Sequence, residues 1–497
     1  LAGTVLFGAF AVYRGQDSNW DLQHYHEYAG YALLHWRYSR DIAAAGVHSF
    51  FNPAPYAVPY LLRHLLSPVA GAFVLGALQS VVIWIVWALT RVLLPPGALL
   101  LRVAALVTAV TGGLTLSEVG ASFADLPLAA PLLAALLLIL QADADGVRHP
   151  LWRHAAAGML AGLATGLKLT NVVFAVALAA AILVRPSRGL LARITRFGAG
   201  GVAGFLLGTG WWSLFLWRRY GNPFFPMFNT IFHAPDAVQW NFVDPSFRPQ
   251  SLWDAVGIPW HWAAGEHVGA EVAFRDMRLA LAGLMILVFM VLLASTGLTR
   301  LGATLRGKLI QAVAFLAVAF ALWCAVFGIA RYAIVLEVMA GLLAVPLASA
   351  LAPAARLAVI GLAAVTIAWT IPGDWEHRPW DVAYQGPEWP AALARPGVFV
   401  LADTRLSYLA AYAPGKSLFF GLLTELMPPG GHLLAAMQGK ILHPGPGGAW
   451  LVMHAPLQDK GKLWELASIG VAPGPDCVAL APLGWDGVTA CRLVAAP

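Results

Sequence analysis

Apolar runs recur along this chain at roughly residues 68–90, 103–117, 122–141, 155–184, 197–217, 279–297, 309–328, 331–351 and 357–371, separated by segments that are basic or rich in Pro and Gly. A helix of about 20 apolar residues matches the hydrocarbon thickness of a bilayer. Backbone polar groups inside hydrocarbon must be satisfied within their own segment, so such runs fold as helices and predict a polytopic α-helical membrane protein. Composition agrees, because only 11% of the 497 residues are charged, less than half the share usual in a soluble domain. The opening stretch LAGTVLFGAFAVY is apolar but short for a crossing and reads as the latter part of a first span. It shows neither the basic n-region nor the small-residue cleavage site of a signal peptide.

The net charge of +6 does not point to nucleic acid, because the basic residues are confined to short breaks between apolar runs. These are Arg91 and Arg102; Arg148 and Arg153; Arg185, Arg188, Arg193 and Arg196; Arg300, Arg306 and Lys308; and Arg356. The positive-inside rule places all five breaks in the cytoplasm. Residues 155–184 then have to cross an even number of times, although thirty residues are short for two spans. The middle of that stretch, TGLKLTN, offers a solution in which Lys168 and Asn171 mark a polar bend between two short helices, lining protein or water. The competing reading is one long tilted helix with Lys168 snorkelling, which swaps the sides of everything downstream.

With the bend, about eleven membrane helices follow, the N-terminus is cytoplasmic, and two long segments, 14–67 and 218–277, face the opposite side. Connections of that length are usually functional. Residues 1–371 thus read as a transmembrane domain. Residues 372–497 have a mixed composition with strand-like runs GVFVLADT, AWLVMHA and DCVALAPL, and read as a small α/β domain on the outer side. Cys477 and Cys491, fourteen apart in this tail, either pair in an oxidising compartment or stay as two buried thiols, and Cys324 lies in an apolar run.

The first outer segment contains GQDSNWDLQHYHEYAGYALL, which sets Asp17, Asp21 and Glu27 among His, Tyr and Trp at the mouth of the first span. The wider stretch from Asp21, DLQHYHEYAGYALLHWRYSRDIAAAGVHSFFNPAPYAVPYLL, resembles the first outer loop of the GT-C glycosyltransferases, polytopic enzymes that take a sugar from a polyprenyl phosphate or pyrophosphate carrier. The resemblance extends to GNPFFPMFN at 221–229, to ARY at 330–332, and to an outer C-terminal domain. It implies a GT-C-like fold and a transferase whose donor is a polyprenyl-phosphate sugar and whose acceptor is a cell-envelope glycan, lipid or protein. The expected location is the bacterial inner membrane, with the active site and the C-terminal domain periplasmic.

Sugar transfer from a carrier phosphate needs a carboxylate base facing the acceptor and cations facing the phosphate. Asp21 aligns with the family's first-loop acid and is the expected base. Asp17 would share its face if the stretch were helical, either splitting the role or helping to hold a metal, and as a plain alternative it caps a helix or sits in a solvated loop. The four-residue spacing departs from the family's adjacent or single acids and leaves open which one is the base. Glu118 and Asp125 in LSEVGASFADLP form a second acidic site for acceptor or metal, with His26 as a hydrogen-bonding neighbour; helix capping by Asp125 and interfacial solvation of Glu118 are the bland readings. Arg331, Lys168 and Arg219 are the expected carrier-phosphate ligands, with headgroup anchoring the alternative for Arg331. Glu337, six residues on, is its expected ion-pair partner. A divalent Mg or Mn ion on Asp17, Asp21 and Asp125 is compatible with the sequence but not required by it. The H-x-H at His24 and His26 favours packing or acceptor contact over metal ligation. Most of the many Trp residues near the outer face, among them Trp240, Trp253, Trp260 and Trp262, read as an interfacial belt, with stacking on a sugar ring the alternative for one or two.

No Walker loop, GxGxxG after a strand, HExxH, CxxC or GxSxG occurs, which removes support for ATP-driven transport, dinucleotide chemistry, zinc proteolysis and serine hydrolysis. The rival classes are a transporter or flippase of a lipid-linked substrate, against which the lack of a visible repeat of spans speaks, and an envelope glycan polymerase or ligase using the 218–277 segment.

Overall fold

The computed structural model describes residues 1–497 except 143–150, 186–188, 240–243, 297, 300, 353, 381–388, 423–427, 429–430, 455–459, 481–486 and 497. Arg148, Arg188, Arg300 and Trp240 therefore lie outside the described residues. The chain divides into two compact units. One comprises Leu1–Tyr13, Phe73–Trp211 and Asp244–Trp375; the other comprises Arg14–Ala72, Trp212–Val243 and Glu376–Pro497.

The first unit is a helical bundle. Among the described residues of the chain, six helices are long and apolar enough to cross a membrane: Pro68–Leu93, Asp125–Ala142, Leu190–Tyr220, Arg278–Thr296, Ala303–Val326 and Ala330–Leu351. Four more, Ala2–Arg14, Leu99–Val110, Leu169–Leu183 and Arg356–Trp369, are apolar but shorter. The expected eleven crossings thus resolve into six helices of spanning length and several that fall short of it. Ala330–Leu351 is the central one, with 83% of its apolar window inside the protein, whereas Arg278–Thr296 leaves most of its surface outward. In a bilayer that outward apolar surface meets lipid at no cost.

Residues 155–184 do not form one tilted helix. The helix Leu151–Leu167 stops at Lys168, whose backbone is extended (φ −146°, ψ 110°), and after one turn at Leu169–Asn171 a second helix runs Val172–Leu183. Asn171 Nδ2 donates to the Ala164 carbonyl (3.0 Å), which also accepts from the Lys168 backbone N–H (3.0 Å), so the side chain fastens the break to the last turn of the first helix. The Leu151–Leu167 helix also packs backbone to backbone on Leu190–Tyr220. A Cβ added to Gly158 would stand 1.9 Å from the Phe197 carbonyl oxygen, one on Gly162 1.9 Å from that of Gly201, and one on Gly204 2.0 Å from that of Met159. Small residues at four-residue spacing let membrane helices approach this closely, where van der Waals contact replaces the missing hydrophobic drive.

The second unit is built on a five-stranded sheet in the order Leu418–Gly421, Val398–Leu401, Ala449–His454, Val488–Ala495, Val471–Leu480. The first three strands are parallel and the last two pair antiparallel to their neighbours. Alternate side chains, among them Val398, Val400, Leu451 and Cys491, pack on Met437 and Ile441 of the His432–Leu442 helix. The three sequence-predicted runs fall on three of these strands; Leu418–Gly421 and Val488–Ala495 were not anticipated. Cys477 and Cys491 face each other across the last pair and are bonded as a disulfide.

This unit comprises more than the C-terminal segment, because it also takes in Arg14–Ala72 and Trp212–Val243, and residues 14–72 are tied to the sheet by polar contacts. Gln16 and Asp17 pair antiparallel with Arg378 and His377. Asp41 is held by two guanidinium nitrogens of Arg37 (3.0 and 2.7 Å) and accepts from the Phe419 backbone N–H (3.0 Å), while Arg37 also donates to the Ser417 carbonyl. Glu27 is buried against Arg63 (3.1 Å), His64 (2.6 Å) and the Tyr412 hydroxyl (3.0 Å). Burial pushes the Glu27 carboxyl up, but Arg63, His64 and Tyr412 together outweigh it and hold the group below its usual value of 4.5.

Two outcomes follow. Gly162→Val inserts a branched side chain into a backbone contact and should lower the thermal midpoint in detergent through a destabilisation of about 3 kcal/mol; an unchanged midpoint would contradict the close approach. For Glu27 the folded-state value lies below the unfolded one, so its stabilisation is present above pH 4.5 and fades as pH falls through the folded value. Glu27→Gln should flatten that acid-side loss in a denaturation series while weakening the protein at neutral pH.

Candidate functional site

In the helical unit, the carboxylate of Asp125 opens the Asp125–Ala142 helix two residues before Pro127, and the break at Lys168 frees that lysine to reach it. Lys168 Nζ donates to both Asp125 oxygens at 2.6 Å, with the two side chains only 16% and 6% exposed. Nζ also lies 4.4 Å from the centre of the Tyr332 ring. Arg331 sits in the 3-10 turn Ala330–Ala333 that begins the central helix, and its guanidinium is 4.9 Å from the Phe123 ring centre and 5.6 Å from that of Tyr332. Its Nη2 donates to Glu271 Oε1 (3.3 Å), and Glu271 Oε2 accepts from Trp375 Nε1 (3.0 Å). Helix starts bring these groups to one level, since Asp125 and Ala330 each begin a helix of spanning length.

Glu118, the last residue of the six-residue helix Gly113–Glu118, completes the cluster and is fully buried. Its Oε2 accepts from the Leu126 backbone N–H (2.9 Å), whereas Oε1 has no hydrogen-bond partner among the described residues. Burial drives the Glu118 carboxyl well above its usual range, and the charge of Asp125 adds to this; Lys168, the Leu126 hydrogen bond and Arg331 pull the other way without prevailing. The protonated form is therefore favoured, which gives a neutral hydrogen-bond donor beside an ion pair.

The short helix owes its position to carboxylates at its other end. Glu337 accepts from the Leu114 and Thr115 backbone N–H groups (2.8 Å each) and from the Thr115 hydroxyl (2.7 Å), and Asp276 Oδ2 accepts from the Gly113 N–H (2.9 Å). Asp276 is paired in turn with Arg278. Glu337 is thus not directed at Arg331 as the sequence suggested. Six residues along a helix is about 1.7 turns, so the two side chains leave on different faces. The guanidinium takes Glu271 instead, a lone acid in HVGAEVAF that carries no sequence signal of its role.

Of the expected site residues, the helical unit brings together Glu118, Asp125, Lys168 and Arg331; the others belong to the second unit. Asp17 is in a two-residue strand, not a helix, so it does not share a helical face with Asp21. Its Oδ1 accepts from the Asn19 backbone and side-chain N–H groups (3.2 and 2.6 Å), it is buried rather than solvated, and the cap of the following helix is Asn19, whose Oδ1 accepts from the Leu22 N–H (2.7 Å). Asp21 is buried in the first turn of that helix and is followed at once by a π-helical segment, Leu22–His26. Such segments insert an extra residue and occur often at functional sites. His26 stacks on Tyr56 (4.2 Å between ring centres). His24 lies between Trp20 and His48 (4.2 and 4.9 Å) and accepts from the Arg405 backbone N–H at Nδ1 (3.3 Å). Burial, helped by His48, lowers the His24 imidazole to about 2, so it is neutral and packed. Arg219 is exposed at the end of its helix, hydrogen-bonded to Tyr220. Among the described residues no three His, Cys, Asp or Glu side chains are grouped to hold a metal ion.

No family model matches the chain, and no curated protein matches it. Among solved structures it is similar to the crystal structure of ArnT from Cupriavidus metallidurans bound to undecaprenyl phosphate, over 100% of this chain and 98% of that one, with 15% identity and a TM-score of 0.46.

The raised Glu118 value has a definite sign. Stability contributed by its protonated form is complete below the unfolded value of 4.5 and is lost as pH rises through the folded one. Glu118→Gln, which copies the neutral acid, should abolish that alkaline-side loss in a thermal series, whereas Asp125→Asn should destabilise at neutral pH by about 3 kcal/mol because it strands Lys168.

Proposed function

We propose that this chain is a GT-C-type membrane glycosyltransferase that moves a sugar from a polyprenyl-phosphate carrier to a cell-envelope acceptor. The observation that carries the reading is the sheltered pair of cations, Lys168 and Arg331, standing at the starts of apolar helices beside Asp125, Glu118 and Glu271. A lipid phosphate presents the matching chemistry, an anionic head at the bilayer edge with a hydrocarbon chain alongside. A cationic clamp there favours the charge that builds on a phosphate leaving group. Lys168 and Arg331 take the phosphate, Lys168 by exchanging Asp125 for it, and the protonated Glu118 donates a hydrogen bond within the same cluster.

In the reaction the acceptor oxygen attacks the anomeric carbon, and the bond from that carbon to the phosphate oxygen breaks with its electron pair leaving on the phosphate. The acceptor proton passes to a carboxylate base. The base is assigned to Asp21 on the first-loop resemblance, with Asp17 as its neighbour in sequence and His26 as an acceptor contact; Arg219 is retained as a phosphate contact because it stands on the outer side against the positive-inside rule.

Arg91, Arg102, Arg153, Arg185, Arg193, Arg306, Lys308 and Arg356 all fall at the helix ends away from Asp125, Lys168 and Arg331 along their segments. Positive-inside orientation then makes the cation cluster periplasmic, in a bacterial inner membrane. The Cys477–Cys491 disulfide suits that oxidising compartment. Counting Leu151–Leu167 and the four shorter apolar helices as crossings alongside the six long ones restores eleven.

The test is transfer from a radiolabelled polyprenyl-phosphate sugar in membranes carrying the protein. Lys168→Ala and Arg331→Ala should each reduce release of free carrier by about 100-fold, the scale of losing one preorganised charge contact, with Arg331→Lys less damaging. Wild-type release in both alanine variants would end the proposal. Unchanged transfer in Asp21→Asn would remove Asp21 from the mechanism, and labelled carrier that crosses the bilayer with its sugar still attached would make the protein a transporter.

A further inference from the structure

The helix Leu252–Ala264 has two apolar sides where a surface helix of a soluble protein has one. Ile258 and Trp262 are fully buried, whereas Leu252, Trp253, Val256 and Trp260 are 76%, 82%, 51% and 56% exposed. At about 100° per residue the four exposed side chains fall within an arc of about 100°, on the side away from Ile258 and Trp262. Asp254 and His261 occupy a strip between the two apolar sides, and His261 Nδ1 shares a 2.6 Å hydrogen bond with Glu266.

The depth of this helix is fixed by what its inner side touches. Trp262 packs on Trp323 (5.6 Å between ring centres), three residues before the Ala303–Val326 helix ends. Its carbonyl accepts from the Asp276 N–H (2.9 Å), two residues before Arg278–Thr296 begins, and the neighbouring Ala263 carbonyl accepts from Trp369 Nε1 (2.8 Å), the last residue of Arg356–Trp369. Three helices of the bundle therefore end or begin at the level of this one. Arg278–Thr296, which begins beside it, leaves Leu284, Leu287, Val288 and Val291 exposed.

We propose that Leu252–Ala264 lies in the plane of the membrane interface with Leu252, Trp253, Val256 and Trp260 set among lipid headgroups and upper acyl chains, and with Asp254 on the watered side. The occupant of the exposed face is the bilayer, because the helix stands at the ends of three apolar helices of the bundle and its exposed face carries two Trp, the residue suited to that depth. The inference rests on the membrane reading alone and stands whichever reaction the protein performs.

Nitroxide accessibility in lipid nanodiscs decides it. In a Cys324→Ala background, which leaves the Cys477–Cys491 disulfide intact, spin labels are placed at Val256→Cys and Asp254→Cys, with Trp260→Cys as a second outward position should Val256→Cys fail to fold. The label at 256 or 260 should collide several-fold more with oxygen than with a water-soluble nickel chelate, and the label at 254 should show the reverse. Equal access of the chelate to both positions overturns the proposal in favour of a solvated helix. An outward label inaccessible to both reagents also overturns it, by showing that protein, such as a second copy of the chain, covers the face.

Discussion

The ion pair between Lys168 and Asp125 is the constraint around which the helical unit is arranged. An ammonium in a largely apolar bundle pays a large desolvation penalty unless an acceptor is supplied, and here both oxygens of one carboxylate supply it. Meeting that requirement means stopping one helix at Lys168 and starting another at Asp125, so irregular backbone sits where protein rather than lipid surrounds it. The aromatic rings of Tyr332 and Phe123 then present their faces to Lys168 and Arg331, and the second cation arrives with the helix that follows. Where one helix stops and another starts is set by the same bond.

A second layer holds that arrangement still. The six-residue helix ending in Glu118 is too short to be stable by itself. It persists because Glu337 and Asp276 satisfy its first backbone N–H groups, and Arg278 in turn neutralises Asp276 while donating to the Thr108 and Thr111 carbonyls. These three charged groups are buried in the bundle, and their bonds to the short helix serve to present Glu118.

Much of the fold was readable because a bilayer imposes one rule on every segment. Apolar runs had to become helices, and the polar tail with its β-branched runs had to become something else; the disagreement in crossing count comes from helices such as Leu99–Val110 that are shorter than the apolar runs containing them. The break at Lys168 was legible because a cation in the middle of an apolar run needs a partner. That Asp125 would be the partner was not legible, since nothing in a sequence reports which helix ends meet. Arg331 was singled out as an arginine at a span start, but its contact with Glu271 depends on a loop whose spacing carries no signal. In the second unit, the helical premise that paired Asp17 with Asp21 failed on a local detail, the pairing of Gln16 and Asp17 with a strand more than three hundred residues later.

The glycine contact between Leu151–Leu167 and Leu190–Tyr220 bears on how the bundle can move. Main chain touching main chain leaves no side chains to rotate aside, so these two helices cannot slide past or part from each other by rotamer changes. They form one stiff pillar, and any relative movement within the bundle falls to helix contacts made through side chains.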